Sequence, residues 1–130
     1  MSRLESGGRK AVTQLFIVSA VCEAGAGLAL LVAPVQGIRL LFGPAVDPFP
    51  AAAIARVAGA ALLSLGAGCW WARDDERSAA SGALVRAMLL YNAAVVAVLL
   101  VGGFGALGPL LWAVVALHGA MAIWCARSLF

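Results

Sequence analysis

The run VSAVCEAGAGLALLVAP, residues 18–34, is apolar and long enough for a helix, yet it carries a glutamate, Glu23, near its middle. An ionisable side chain at the centre of a bilayer costs about 2.5–3.5 kcal/mol on insertion scales, so it is expected to face protein and to find a partner. Three further apolar runs each carry polar residues at a comparable position: Ser64, Asn92 and His118. Counting about 1.5 Å of rise per residue puts all four at similar mid-depth, as one polar layer. Glu23 and His118 can carry protons, and His118 is the natural partner for Glu23. Asn92 can hydrogen-bond to either. Arg56 and Arg86 lie to the two sides of this layer. Each can turn inward and flank it, but snorkelling to an interface or a structural pair ranks ahead of function. Arg86 and Asn92 are six residues apart, about 120° around a helix, which disfavours both facing one point. Tyr91, beside Asn92, can hydrogen-bond into the layer or simply pack, and packing ranks first.

No nucleophile with its base, phosphate-cradling loop or metal cluster accompanies these residues. Catalytic and metal-ligating residues are therefore not assigned, and an enzyme is the less favoured class. Haem is not expected, because His118 is the one histidine and Met121 sits too close on the same helix to reach the opposite axial position. Cys22, Cys69 and Cys125 make no CxxC pair and read as small buried thiols.

The elements that must carry this layer follow from composition. The chain of 130 residues is 64% hydrophobic and 12% charged, against about 45–50% and about 25% for a soluble domain. A spanning helix needs roughly 20 apolar residues. Residues 11–33, 51–72, 83–102 and 107–126 meet that length, which predicts an all-α integral membrane bundle of four helices forming one transmembrane domain over residues 1–130. No separate soluble domain is expected. The first run follows basic residues and contains SAVC (Ser19 to Cys22), which looks like a lipoprotein cleavage box. It continues to Pro34, so it is expected to be retained as a helix.

Charge sets the orientation. Arg3, Arg9 and Lys10, then Arg73 and Arg77, then Arg127 fall in regions that share one membrane face, and Arg39 alone lies in the loops opposite. The positive-inside rule places both termini in the cytoplasm of a multi-pass inner (plasma) membrane protein, with Trp70, Trp71 and Trp124 in the interfacial belt. The net charge of +3 is thus a matter of topology, and no nucleic acid partner is implied.

The first outer connection, VQGIRLLFGPAVDPFP, repeats Val35, Ile38, Leu41 and Phe42 at helical spacing before Gly43-Pro44. It predicts a short interfacial helix, with an irregular loop folded back on the bundle as the alternative. Ser78 or Ser81 is placed to cap the third span, and the short GGFGALGP turn makes the last two spans antiparallel neighbours. EAGAGLALLV from Glu23 aligns with NAAVVAVLLV from Asn92, and WWAR at Trp70 with WCAR at Trp124. Two repeated helical hairpins would produce that pattern; chance alignment of apolar helices would as well. Small residues at Ser19, Glu23 and Gly27, and at Ala60, Ser64 and Gly68, form stripes suited to close helix packing.

The glutamate within the first of four helices is similar to that of the small multidrug resistance transporters, where it exchanges protons for lipophilic cations in an antiparallel dimer. Glu23, Gly25 and Gly27 carry this likeness. The strong charge bias, the long first outer loop, the absence of tryptophan from the third span, and Arg56, Arg86 and His118 depart from it. EAGAGLALLVAP, IRLLFG (Ile38 to Gly43) and RVAGAALLSLGAGCWWAR (Arg56 to Arg73) resemble the DoxX-like group of small four-helix bacterial membrane proteins, over the first two spans. That resemblance implies a membrane subunit or accessory of a redox assembly, sometimes quinone-linked, and carries over no catalytic residue.

The expected function is therefore a non-catalytic subunit or accessory of a membrane assembly, holding a quinone or other lipophile against Glu23, Asn92 and His118. Its partners would be the lipid bilayer and another membrane protein or a second copy of the chain. A proton-coupled transporter of small or lipophilic solutes using Glu23 is the alternative. A bundle in which Glu23 and His118 only fix helix register ranks third.

Overall fold

Every regular element in a computed structural model of the chain, which describes residues 3–44, 48–75, 78–102 and 108–129, is a helix. The order is α1 (Arg3–Val32), α2 (Pro34–Phe42), α3 (Pro48–Ala72), α4 (Ala79–Gly102) and α5 (Leu111–Leu129). Four of them, α1, α3, α4 and α5, contain apolar stretches of 19 to 24 residues, long enough to cross a membrane. The chain is an all-α four-helix membrane bundle with one short helix inserted between its first two spans. Residues 103–107 of the expected GGFGALGP turn, and Glu76 and Arg77, lie outside the described residues.

Local chemistry sets the boundaries. Pro34 has no N–H to continue the helical ladder, so α1 stops before it and α2 starts on it. Gly43 ends α2 with φ 79° and ψ −178°, while its N–H still donates to Arg39 O at 2.9 Å. The short helix is thus present, and it folds back on the bundle, mainly against α3, with Ile38 and Pro34 buried. Prolines suit a first helical turn, and α3 begins on Pro48 rather than at residue 51. Ser78 Oγ accepts the Ser81 N–H at 3.0 Å and starts α4 at Ala79 instead of residue 83. The last helix begins at Leu111, four residues later than apolarity suggests, after the turn at Pro109 and Leu110. α1 begins earlier than its apolar run because a helix can project beyond hydrocarbon into water.

The helices pack most closely as two antiparallel pairs, α1 with α3 and α4 with α5. In the first pair the backbones touch. A Cβ at Gly27 would lie 2.6 Å from Gly59 O, and one at Gly59 would lie 2.7 Å from Gly27 O. Gly66 is also close, where a Cβ would lie 3.0 Å from Ala20 O and from Ala24 N. The stripe at Ser19, Glu23 and Gly27 is buried as the sequence suggests, but the Ala60, Ser64 and Gly68 stripe is not the contact. Ala60 and Ser64 are exposed, and a Cβ at Gly68 would meet nothing within 4 Å. The face of α3 that meets α1 is Gly59, Leu63 and Gly66.

The two pairs are held together differently at their two ends. At the end carrying Lys10, Arg73 and Arg127, the basic end, a core of Leu15, Phe16, Ala20, Cys69, Val85, Met88, Met121 and Cys125 joins all four spans. At the opposite end α2 bridges them. Leu110 N–H donates to Leu40 O at 3.0 Å, and Gly108 lies so close to the Leu40–Leu41 backbone that any side chain there would overlap it. Trp70 and Trp71 are exposed at the basic end, where the Arg73 guanidinium stacks 4.3 Å from the Trp70 ring centroid.

Candidate functional site

Beyond the packed core a cavity of about 340 Å³ lies between the two helix pairs. Its walls are apolar: Ala26 and Leu30 of α1, Val95 and Leu99 of α4, Val114 and Leu117 of α5. Gly37, Leu40 and Leu41 of α2 close the end away from the core. Ala26, Leu40 and Leu117 are exposed, so the cavity reaches the surface of the bundle.

Polar side chains gather at the end of the cavity nearest the core. Glu23, Tyr91, Asn92 and His118 all line it. Glu23 is 5% exposed and Asn92 is 1% exposed, so both are withdrawn from lipid as their chemistry demands. They form two hydrogen-bonded pairs. Tyr91 OH donates to Glu23 Oε2 at 3.2 Å, tying α4 to α1. Asn92 Nδ2 donates to Met88 O at 2.7 Å, and Asn92 Oδ1 meets His118 Nδ1 at 2.7 Å, tying α4 to α5. Tyr91 and His118 pack edge to face, ring centroids 5.5 Å apart, and thereby join the pairs.

The second pair assigns its own hydrogens. Met88 O is a carbonyl and can only accept, so the amide group facing it is the NH2 of Asn92. The amide oxygen is then the atom turned to His118, and Nδ1 must carry the hydrogen between them. A backbone carbonyl of α4 thus sets the tautomer of a histidine on α5. Nε2 remains as the second ring nitrogen, and no hydrogen bond among the described residues uses it. A carboxylate can accept about four hydrogen bonds, and Glu23 accepts one within the chain among the described residues.

The expected layer is therefore realised in part. The structure brings Glu23, Asn92 and His118 to one place. Glu23 does not pair with His118, because Tyr91 and Asn92 stand between them as partners. Tyr91, for which the sequence ranks packing ahead of a hydrogen bond into the layer, makes that hydrogen bond, to Glu23. Ser64 shares the depth but is exposed on the other side of α3, and its hydroxyl donates back to Ala60 O at 2.9 Å. Arg56 is exposed and reaches Leu31 O at 3.4 Å near the end of α1, a favourable place for a cation. Arg86 is exposed with its guanidinium folded back over Gly82, toward the basic end. These three stand outside the cavity.

Fold and site together define a multi-pass helical membrane bundle with an apolar cavity that is polar at its buried end. No family model, curated protein or solved structure matches the chain.

Proposed function

We propose that this protein is a non-catalytic binding subunit or accessory of a membrane assembly, which holds an apolar molecule in the cavity between its helix pairs. The observation that carries this reading is the distribution of polarity in the cavity. Its volume falls within the roughly 300–1,000 Å³ typical of small-molecule sites, and its few polar groups converge at one buried end. Such a cavity suits a lipophile with one polar terminus, as a quinone or a related molecule has. The resemblance to DoxX-like proteins points the same way. Basic residues gathered at one end support an inner-membrane orientation with both termini cytoplasmic and α2 at the outer interface.

Native mass spectrometry of the protein extracted gently from its own membrane tests the proposal. The expected result is a retained lipophile of defined mass that is lost when Val95→Phe fills the cavity. A bare protein, or a bare homodimer, would count against it.

The second reading, a proton-coupled transporter, is favoured by the placing of Glu23. Among the described residues it is the one acidic side chain that lines the cavity. Loss of proton-linked solute movement in proteoliposomes of a folded Glu23→Gln variant would move this reading ahead.

A further inference from the structure

The hydrogens available at the polar end of the cavity are largely committed within the chain, and what remains uncommitted is selective. Asn92 gives one amide hydrogen to Met88 O and takes the Nδ1 hydrogen of His118 on its oxygen. In a neutral imidazole with Nδ1–H, the other nitrogen carries a lone pair. Tyr91 gives its hydroxyl hydrogen to Glu23 and keeps lone pairs on its oxygen. Beside the second Asn92 amide hydrogen and the weakly donating Cys22 thiol, what the cavity presents is acceptors: His118 Nε2, Tyr91 Oη and the remaining capacity of the Glu23 carboxyl group.

We infer that the ligand of this cavity is an apolar molecule ending in a hydrogen-bond donor, a hydroxyl or an ammonium group, received by His118 Nε2 with Glu23 beside it. The inference rests on the binding role proposed above and narrows its ligand class. A head group that only accepts, such as an ether, ester, ketone or oxidised quinone, would bring no hydrogen to Nε2, so of a quinone couple it is the quinol, with its O–H donors, that the cavity receives. Protonation of Glu23 would supply one donor to such a group and still leave Nε2 unmet. A buried acceptor left without its hydrogen bond weakens binding by about five-fold or more. A hydroxyl can donate to Nε2 while its own oxygen accepts; an ammonium can donate to Nε2 and face the Glu23 carboxylate at once.

The test uses the full chain in lipid nanodiscs with isotopically labelled histidine. Because His118 is the chain's one histidine, its two nitrogen NMR signals need no assignment. The free protein is expected to show the neutral Nδ1–H tautomer. Para-octylphenol is expected to bind at least about five-fold more tightly than para-octylanisole, which differs by capping the donor, and to shift the Nε2 signal. In His118→Phe, which keeps a ring against Tyr91, the preference should fall to within about two-fold. Octylammonium distinguishes the two donors. Binding tighter than the phenol that disappears in Glu23→Gln assigns the cation, and weaker binding assigns the hydroxyl. Equal affinity for phenol and anisole in the wild type, or an Nε2–H tautomer, overturns the donor assignment while leaving the binding role in place. Failure of all three probes to bind the folded protein overturns the binding role itself.

Discussion

Asn92 is the residue on which the site's geometry turns, since it is bonded to its own helix on one side and to α5 on the other. Asn92→Leu would free the Met88 carbonyl and leave the Nδ1 hydrogen of His118 without an acceptor. A buried group stranded in this way costs about 1–3 kcal/mol. A double-mutant cycle of Asn92→Leu with His118→Phe, read by equilibrium unfolding in mixed micelles, should give a coupling of about 0.6–1.7 kcal/mol, the range for hydrogen bonds between membrane helices. Zero coupling would mean that the pair contributes nothing to helix association. Glu23 behaves differently. Glu23→Gln keeps an oxygen to accept from Tyr91, whereas Tyr91→Phe leaves the carboxyl group without its donor. Tyr91→Phe is therefore expected to destabilise more than Glu23→Gln in the same assay, and the opposite order would show that Glu23 is held by something other than Tyr91. At this scale the sequence revealed depth and little else. Glu23, Ser64, Asn92 and His118 are all found at the same level, but depth says nothing of direction. Three of them face the cavity and Ser64 faces away.

Direction is a property of the helices, and lipid removes the usual clue to it. A helix in water declares its buried face by an apolar stripe, but a helix apolar all round can be turned either way without changing its pattern. The number of spans, the helix at Pro34–Phe42 and the Ser78 cap could be read from composition, spacing and local chemistry. The rotation of α3 could not. It is set by which glycines let two backbones touch, and Gly59 and Gly66 serve where Ser64 and Gly68 were the more regular stripe. Gly59→Ala is accordingly expected to destabilise by about 1–3 kcal/mol, as overpacking does. Gly68→Ala should be neutral or slightly stabilising, because its Cβ meets nothing within 4 Å. Equal effects at the two positions would place the α1–α3 contact elsewhere. The end of α2 depends on backbone conformation instead. Gly43 has φ 79° and ψ −178°, a region that residues with side chains avoid. Gly43→Ala should cost about 1–3 kcal/mol, measured against Gly68→Ala as the control for removing a glycine.

Across the whole molecule the two ends of the bundle are built to opposite rules. One end is filled: Phe16, Leu15, Met88, Cys69 and Cys125 have almost no exposed surface. The other end is hollow and, among the described residues, is bridged by α2 through the Leu40–Leu110 hydrogen bond and the Gly108 contact. The polar groups stand at the boundary between them, with packed side chains behind and open volume in front. The alignment of Glu23 with Asn92 suits this arrangement, since both residues reach that boundary. The alignment of Trp70 with Trp124 would set Ser64 against His118, and those two residues face different surroundings. If the hollow end serves a ligand and the filled end serves stability, adding volume should have opposite effects in the two. Cys69→Phe, in the filled end, is expected to lose about 1–3 kcal/mol through forced displacement of its neighbours. Val95→Phe, on the cavity wall, should be neutral or gain about 0.5–2 kcal/mol in the ligand-free protein, as cavity filling commonly does. The same change should abolish binding of para-octylphenol while leaving Glu23, Tyr91, Asn92 and His118 in place. Unfolding of the two variants with and without the phenol checks this directly. Equal destabilisation by both would mean that the cavity collapses in the membrane and that the polar end is closed in the resting protein.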